Sequence, residues 1–240
     1  MQHSGFQFKQ FYIEHSACAM KVGTDSIMLG SWVNIENTQT ILDIGTGSGL
    51  LAIMLAQKAT VDCRIVGIDI DSQAITQAKF NGEQCPWSKQ VSFVKSSLQQ
   101  YNCEIAFDLI VCNPPYFVIN QTANLQNNKT QRVTARQTTE LTHADLLTLS
   151  EQHLSPYGRF CCVLPADIDN EFVALAAKVG LYCVNQMAVK SKPEGKIIRY
   201  LYEFSKKPKE LSYSDINIHN VNGGYSAEYQ NLCKQFYLNF

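Results

Sequence analysis

The chain lacks the marks of several protein classes. No stretch of its 240 residues is an unbroken apolar run of about 18, so no membrane-spanning helix is expected. The opening residues, Met1 to Gln10, lack the charged-then-apolar order of a secretory signal. Nine cysteines are present, but no pair has CxxC spacing, and the only close pair, Cys161 and Cys162, adjoins. That pattern suits neither a disulfide framework nor a zinc site, and it predicts free, mostly buried thiols in a reducing cytoplasm. The five histidines (His3, His15, His143, His153, His219) show no ligand spacing, so no metal is expected. An excess of one charge is missing too. Twenty basic residues face 21 acidic ones, whereas a dedicated nucleic-acid module is usually basic overall. Repeats and long low-complexity linkers are absent.

What remains is a well-mixed globular composition, 45% hydrophobic and 17% charged. A chain of this size buries roughly 70–75% of its unfolded surface and needs no staples. Short apolar runs alternate with helical patterns from residue 40 onward. Strands are expected at Thr40–Ile44, Arg64–Ile68, Val91–Val94, Asp108–Cys112 and Arg159–Leu164, with helices at Leu50–Lys58, Ser72–Asn81, Leu141–His153 and Glu171–Val179. Asp71 and Ser72 are the candidate caps of the second helix, and Gly180 the C-cap of the last. Leu181–Val189 and Ile197–Phe204 frame KSKPEG as a closing hairpin. Apolar strands alternating with helices predict an α/β fold whose mostly parallel sheet is covered on both faces, with one antiparallel strand near an edge. Ligands of such sheets sit beyond the carboxyl ends of the strands, where Asp43, Asp69 and Asn113 fall.

The distribution of charge says more than its sum. Between Lys178 and Lys209 eight basic residues are opposed only by Glu194 and Glu203, an excess that could meet a phosphate backbone or merely rim a solvated hairpin. Residues 118–139 are polar and rich in Gln, Asn and Thr, a length typical of functional loops or disorder. The tail from Ser212 is polar until YQNLCKQFYLNF, where Leu232, Phe236 and Tyr237 share a helical face fit to dock on the body.

Asp43-Ile44-Gly45-Thr46-Gly47-Ser48-Gly49 lies between a strand and a helix. Its glycines admit positive φ and let a ligand touch backbone. Leu50 stands where a dinucleotide fingerprint has its third glycine, so the pattern is DxGxGxG and argues against NAD. Asp69 follows Gly49 by 20 residues at the next strand end, placed to accept both hydroxyls of a ribose. Asn113-Pro114-Pro115-Tyr116 follows the fourth strand. Its prolines fix φ and supply carbonyls without competing donors, a stiff ledge of acceptors beside an aromatic ring.

An exocyclic adenine amine is a poor nucleophile because its lone pair is delocalised. If its N–H groups donate to the Asn113 side-chain oxygen and the Pro114 carbonyl, the nitrogen turns tetrahedral and its lone pair is aimed. Tyr116 can stack on the base. Positioning then does most of the catalysis, with no tuned general base.

The glycine loop resembles that of S-adenosylmethionine-dependent methyltransferases, and the whole chain resembles the bacterial tRNA1(Val) (adenine(37)-N6)-methyltransferases. Phe6-x-Phe8-Lys9-Gln10-Phe11, Cys18 to Asp25 (CAMKVGTD), Leu29-Gly30-Ser31-Trp32, Pro86-Trp87, Asn113 to Phe117, Arg132 with Ala135-Arg136, Tyr225-Ser226-x-x-Tyr229 and Phe236-Tyr237 carry the likeness. It implies a Rossmann-like class I methyltransferase fold with a mostly parallel seven-stranded sheet, helices on both faces and a closing antiparallel hairpin. One domain is expected over 1–240, with an N-terminal extension (1–35), a catalytic core (36–207) and a tail (208–240). S-adenosylmethionine is the implied cofactor, held by Lys21, Thr24 and Asp25 near its methionine end and by Asp43, Gly45, Thr46, Gly47, Gly49, Asp69 and Asn113. Relatives often place an acid after the third strand, where this chain has Ser96-Ser97. The cofactor adenine is therefore left to Ser97, a backbone amide or packing.

Asn113, Pro114 and Tyr116 are the expected catalytic residues. Pro115 and Phe117 are expected at the substrate base, and Arg132 and Arg136 at phosphate. The implied partner is tRNA, met by a cytoplasmic protein with a monomer favoured. NPPY is shared with release-factor glutamine methyltransferases, so glutamine methylation stays open, as does a non-catalytic tRNA-binding protein on this scaffold.

Overall fold

Runs such as TILDI and FDLIVC offer apolar side chains to both faces of a strand, so each must be covered twice. The computed structural model describes residues 4–16, 18, 21–114 and 141–240, and it places these runs in the middle of an eight-stranded sheet. In chain order the elements are β1 (Gly5–Gln7), β2 (Tyr12–Glu14), α1 (Thr24–Trp32), β3 (Thr40–Ile44), α2 (Leu50–Lys58), β4 (Arg64–Asp69), α3 (Ser72–Gln84), β5 (Val91–Lys95), β6 (Phe107–Cys112), α4 (His143–His153), β7 (Leu154–Pro165), a 3-10 turn (Ala166–Ile168), α5 (Asp169–Lys178), β8 (Tyr182–Lys190), β9 (Ile197–Ser205), β10 (Ser212–Asn217) and α6 (Ala227–Cys233). The sheet order is β10-β8-β9-β7-β6-β3-β4-β5, and β1 pairs with β2 apart from it. Within the eight-stranded sheet only β9 runs against its neighbours, inserted by the 191–196 hairpin between β7 and β8.

All seven expected strands are present, and β10 is an eighth, parallel to β8. It has no alternating apolar signal because it is an exposed edge, with Ile216 its one buried side chain. β7 begins at Leu154, five residues before the expected Arg159. Ser155-Pro156-Tyr157-Gly158 has the composition of a turn, and the chain bulges there between the Leu154–Phe107 and Arg159–Leu109 pairs. Asp71 caps α3, its carboxylate accepting from Gln73 N at 2.8 Å. Gly180 ends the α5 turn at φ +83°.

Strand alternation divides the core in two. Ile41, Leu109, Val111, Cys161 and Val163 face α1, α2 and the terminal segments, whereas Leu42, Ile110, Cys112, Cys162 and Leu164 face α4 and α5. The adjoining Cys161 and Cys162 thus point to opposite faces, each fully buried and free. A buried aliphatic side chain contributes about 1.5–3 kcal/mol, so both layers contribute heavily. The docking face expected of the tail is seen, with Phe236 buried and Leu232 and Tyr237 packed against the same core. The tail also meets the N-terminal segment. Lys9 N donates to Phe236 O at 2.8 Å, and Lys9 Nζ donates to the carbonyls of Lys234 and Phe240. Among the described residues no helix is long and apolar enough to cross a membrane, and no group of three His, Cys, Asp or Glu could hold a metal.

Candidate active site

Parallel strands β3, β4 and β6 end along one edge, which brings their following loops together. The loop after β3 turns through Gly45 (φ +69°), Gly47 (φ +54°) and Gly49 (φ +82°). A Cβ at Gly49 would also lie 2.9 Å from the Phe93 ring, so that turn needs glycine twice over. Asp43 Oδ2 accepts from Thr46 Oγ1 at 2.6 Å and from Ala52 N at 3.2 Å, tying the loop to the start of α2. The carboxyl is fully buried, and Oδ1 has no hydrogen-bond partner among the described residues. Burial pushes its pKa up to about 7. Asp69 Oδ2 accepts from Gly47 N and Oδ1 from Asp71 N, both at 2.9 Å. Asn81, buried in α3, donates to Ser48 O and to Glu14 O, and accepts from Glu14 N. One amide therefore joins the loop to β2.

Opposite the loop stands the first turn of α1. The two walls enclose a cleft of about 300 Å³, lined by Lys21, Gly23, Thr24, Asp25, Ser26, Gly45, Thr46, Gly47, Asn113 and Pro114 among others. The Gly23 N-cap has no side chain to satisfy the first N–H groups of α1, and uncapped N–H groups with the positive end of a helix dipole favour an anion. Asp25 Oδ2 accepts from Arg199 Nε of β9 at 2.9 Å. Asn113 Nδ2 donates to Ser26 Oγ at 2.8 Å. Val22 N, beside Lys21, donates to His15 Nδ1 at 3.3 Å, and burial together with the Lys21 charge holds that imidazole below its ordinary pKa.

Residues 17–190 match the model of the methyltransferase small domain. The chain is 46% identical to a tRNA1(Val) (adenine(37)-N6)-methyltransferase of Pseudoalteromonas atlantica, with all of both chains aligned. It is 39% identical to one of the same name from Aeromonas hydrophila, over 99% of this chain and 98% of that one. The chain belongs to this methyltransferase family. Solved structures share the fold. A predicted O-methyltransferase from Agrobacterium tumefaciens gives a TM-score of 0.69 at 13% identity, covering 88% of this chain and 96% of that one. A ribosomal protein L11 methylase from Lactobacillus delbrueckii gives 0.54 at 19%, over 76% and 77%.

S-adenosylmethionine is the cofactor of methyltransferases of this kind, and the cleft fits it. A Cβ at Gly45 would meet nothing within 4 Å and one at Gly47 only the Gly45 carbonyl, so bare backbone faces a space a ligand can enter. The α1 turn suits a carboxylate and Lys21 adds a cation on the same wall. Of the expected cofactor residues, Lys21, Thr24, Asp25, Gly45, Thr46, Gly47 and Asn113 share the cleft. Asp43 lies behind the loop as its anchor, because its burial turns it toward α2. Asp69 is the rear support of Gly47 and remains half-exposed at the strand end. The Ser97 carbonyl accepts from Gln100 N and Tyr101 N and so closes a turn after β5. Pro115, Tyr116, Phe117, Arg132, Arg136 and the polar 118–139 segment lie outside the described residues.

The basic stretch does not form one surface. Because β9 is antiparallel, Lys190, Lys192, Lys196 and Arg199 fall at the cleft end of the sheet, and Lys178, Lys206, Lys207 and Lys209 at the other. Lys206 pairs there with Glu151 at 3.0 Å, and Lys207 lies over the Tyr157 ring. Sequence reasoning missed Ser26, Asn81 and the inward use of Arg199. Their partners lie 33 to 174 residues away, and no local spacing reports that.

Proposed function

We propose that this protein transfers a methyl group from S-adenosylmethionine to N6 of adenine in tRNA, at adenosine 37 of tRNA1(Val). One observation carries the reading: the Asn113–Pro114 ledge and the glycine loop open onto the same cleft. Bound S-adenosylmethionine supplies an electrophilic methyl carbon on a sulfonium. The chain's own groups do the rest. Gly45 to Gly47 cradle the cofactor with backbone, Asp69 stands at the strand end for its ribose, and the α1 turn with Lys21 receives its carboxylate. Asn113 Oδ1 and the Pro114 carbonyl accept the two amine hydrogens and hold the nitrogen's lone pair toward the cleft. Tyr116 and Phe117 stack on a base that has left the anticodon-loop stack, with Pro115 beside it. Arg132, Arg136 and the cleft-end lysines Lys192 and Lys196 meet phosphates. Once methylated, the nitrogen is cationic and releases its proton to solvent without a dedicated base.

The same reading takes residues 1–240 as one methyltransferase domain, with an N-terminal extension (1–35), a catalytic core (36–207) and a C-terminal tail (208–240), acting as a cytoplasmic monomer. The test is transfer of labelled methyl to unmodified tRNA1(Val), followed by nuclease mapping and mass analysis. One methyl on N6 of adenosine 37 is expected. Label on a release-factor glutamine and none on tRNA would overturn the proposal, as would calorimetry without S-adenosylmethionine binding.

A further inference from the structure

The function proposed for Asn113 requires one of two orientations of its side-chain amide. The oxygen and the NH2 group have nearly the same shape but opposite hydrogen-bonding character. An oxygen presented to the substrate accepts an amine hydrogen, whereas an NH2 presented there meets another NH2 and repels it. Asn113 Nδ2 donates to Ser26 Oγ at 2.8 Å, and both residues are half-buried on the wall of the cleft. Ser26 is the third residue of α1, a helix fixed at both ends. Arg199 bonds Asp25 in its first turn, while Lys58 Nζ donates to the carbonyls of Gly30, Ser31 and Val33 around its last. The hydroxyl is thus carried by a rigid element rather than by a loop.

We infer that Ser26 is a positioning residue for methyl transfer. By accepting from Nδ2, Ser26 Oγ holds the Asn113 amide in the orientation that leaves Oδ1 for the incoming amine. It also ties the acceptor ledge to the helix turn that walls the cofactor cleft. This inference rests on the proposed function, and Ser26 itself exchanges no proton and forms no covalent bond.

The experiment begins with the unaltered protein, unmodified tRNA and labelled S-adenosylmethionine. Absence of transfer there overturns the proposed function and this role with it. With transfer established, Ser26→Ala is expected to lower kcat roughly ten- to hundredfold, because a small misplacement of a positioning group has effects of that size. Cofactor affinity by calorimetry and the melting midpoint should stay unchanged. Ser26→Thr, which keeps the hydroxyl, should regain most of the lost turnover. In an Asn113→Ala background Ser26→Ala should add no further loss. An unchanged kcat in Ser26→Ala overturns the role of Ser26 alone, and so does a full additional loss in the Asn113→Ala background. Should Ser26→Ala fold poorly, Ser26→Cys serves in its place, since it is nearly isosteric and its sulfur is a weak hydrogen-bonding group. Wild-type turnover by folded Ser26→Cys overturns the proposal equally.

Discussion

Around the glycine loop the supporting bonds span short stretches of chain, whereas the Asn113 ledge leans on residues far away. Thr46 reaches Asp43 three residues back and Gly47 reaches Asp69 at a separation of 22. Asn113 is held by Ser26 across 87 residues, and the helix bearing Ser26 is held by Arg199 across 174. The glycine-loop wall of the cleft is therefore a unit that forms with its own strands, while the α1 wall shares the long-range supports of the ledge. The acceptor ledge is assembled by the whole fold, so loss of the Ser26–Asn113 bond can alter transfer while the glycine loop stays formed.

That contrast breaks most sharply at Asn113. Asn113→Ala should lower turnover by about 10²–10³-fold, the scale for removing a group matched to the transition state. Cofactor affinity by calorimetry should persist, and its loss would mean that the two halves cannot be separated. Asn81→Leu comes next. It removes the three hydrogen bonds that Asn81 makes to Ser48 O, Glu14 O and Glu14 N, and urea unfolding should show a loss of about 3 kcal/mol. Asp69→Ala frees Gly47 N and should raise the KM for S-adenosylmethionine by about tenfold or more in steady-state assays, with kcat little changed.

The smallest expected effect sharpens the role of Asp43. Burial raises its carboxyl to about 7 from an ordinary 3.8, so the folded protein keeps this proton where the unfolded chain has lost it. Its contribution to stability is present at acid pH, falls as pH rises from about 4 to about 7, and is flat above. Asp43→Asn should lack that slope, so the difference between variant and wild-type urea midpoints should change with pH across this range. An unchanged slope would show that the carboxyl is ionised throughout.

The same division governs what could be read before the fold was known. The five interior strands and their helices were legible because apolar runs and caps are local signals, as at Asp71 and Gly180. The DxGxGxG turn, Asp69 and Asn113 were legible as strand-end residues, since an alternating pattern already fixes where strands end. β10 was not, because a solvated edge strand with one buried side chain has no period to detect. The start of β7 at Leu154 was hidden by Pro156 and Gly158, whose turn chemistry makes a bulge before pairing with β6 resumes at Arg159. Ser26 and Arg199 were visible as residues but not as partners, because only the topology brings α1, β6 and β9 to one cleft.

The layer in which Lys9 grips the backbone of Lys234, Phe236 and Phe240 bears on how the molecule is born. During synthesis the glycine-loop strands emerge early and can pair at once. The opening segment has to wait for residues 229–240 to leave the ribosome before it finds its seat. Until that moment the Phe6 ring lacks the Tyr237 ring that meets it edge to face at 5.8 Å, and the Lys9 ammonium has no carbonyls of the tail to hold.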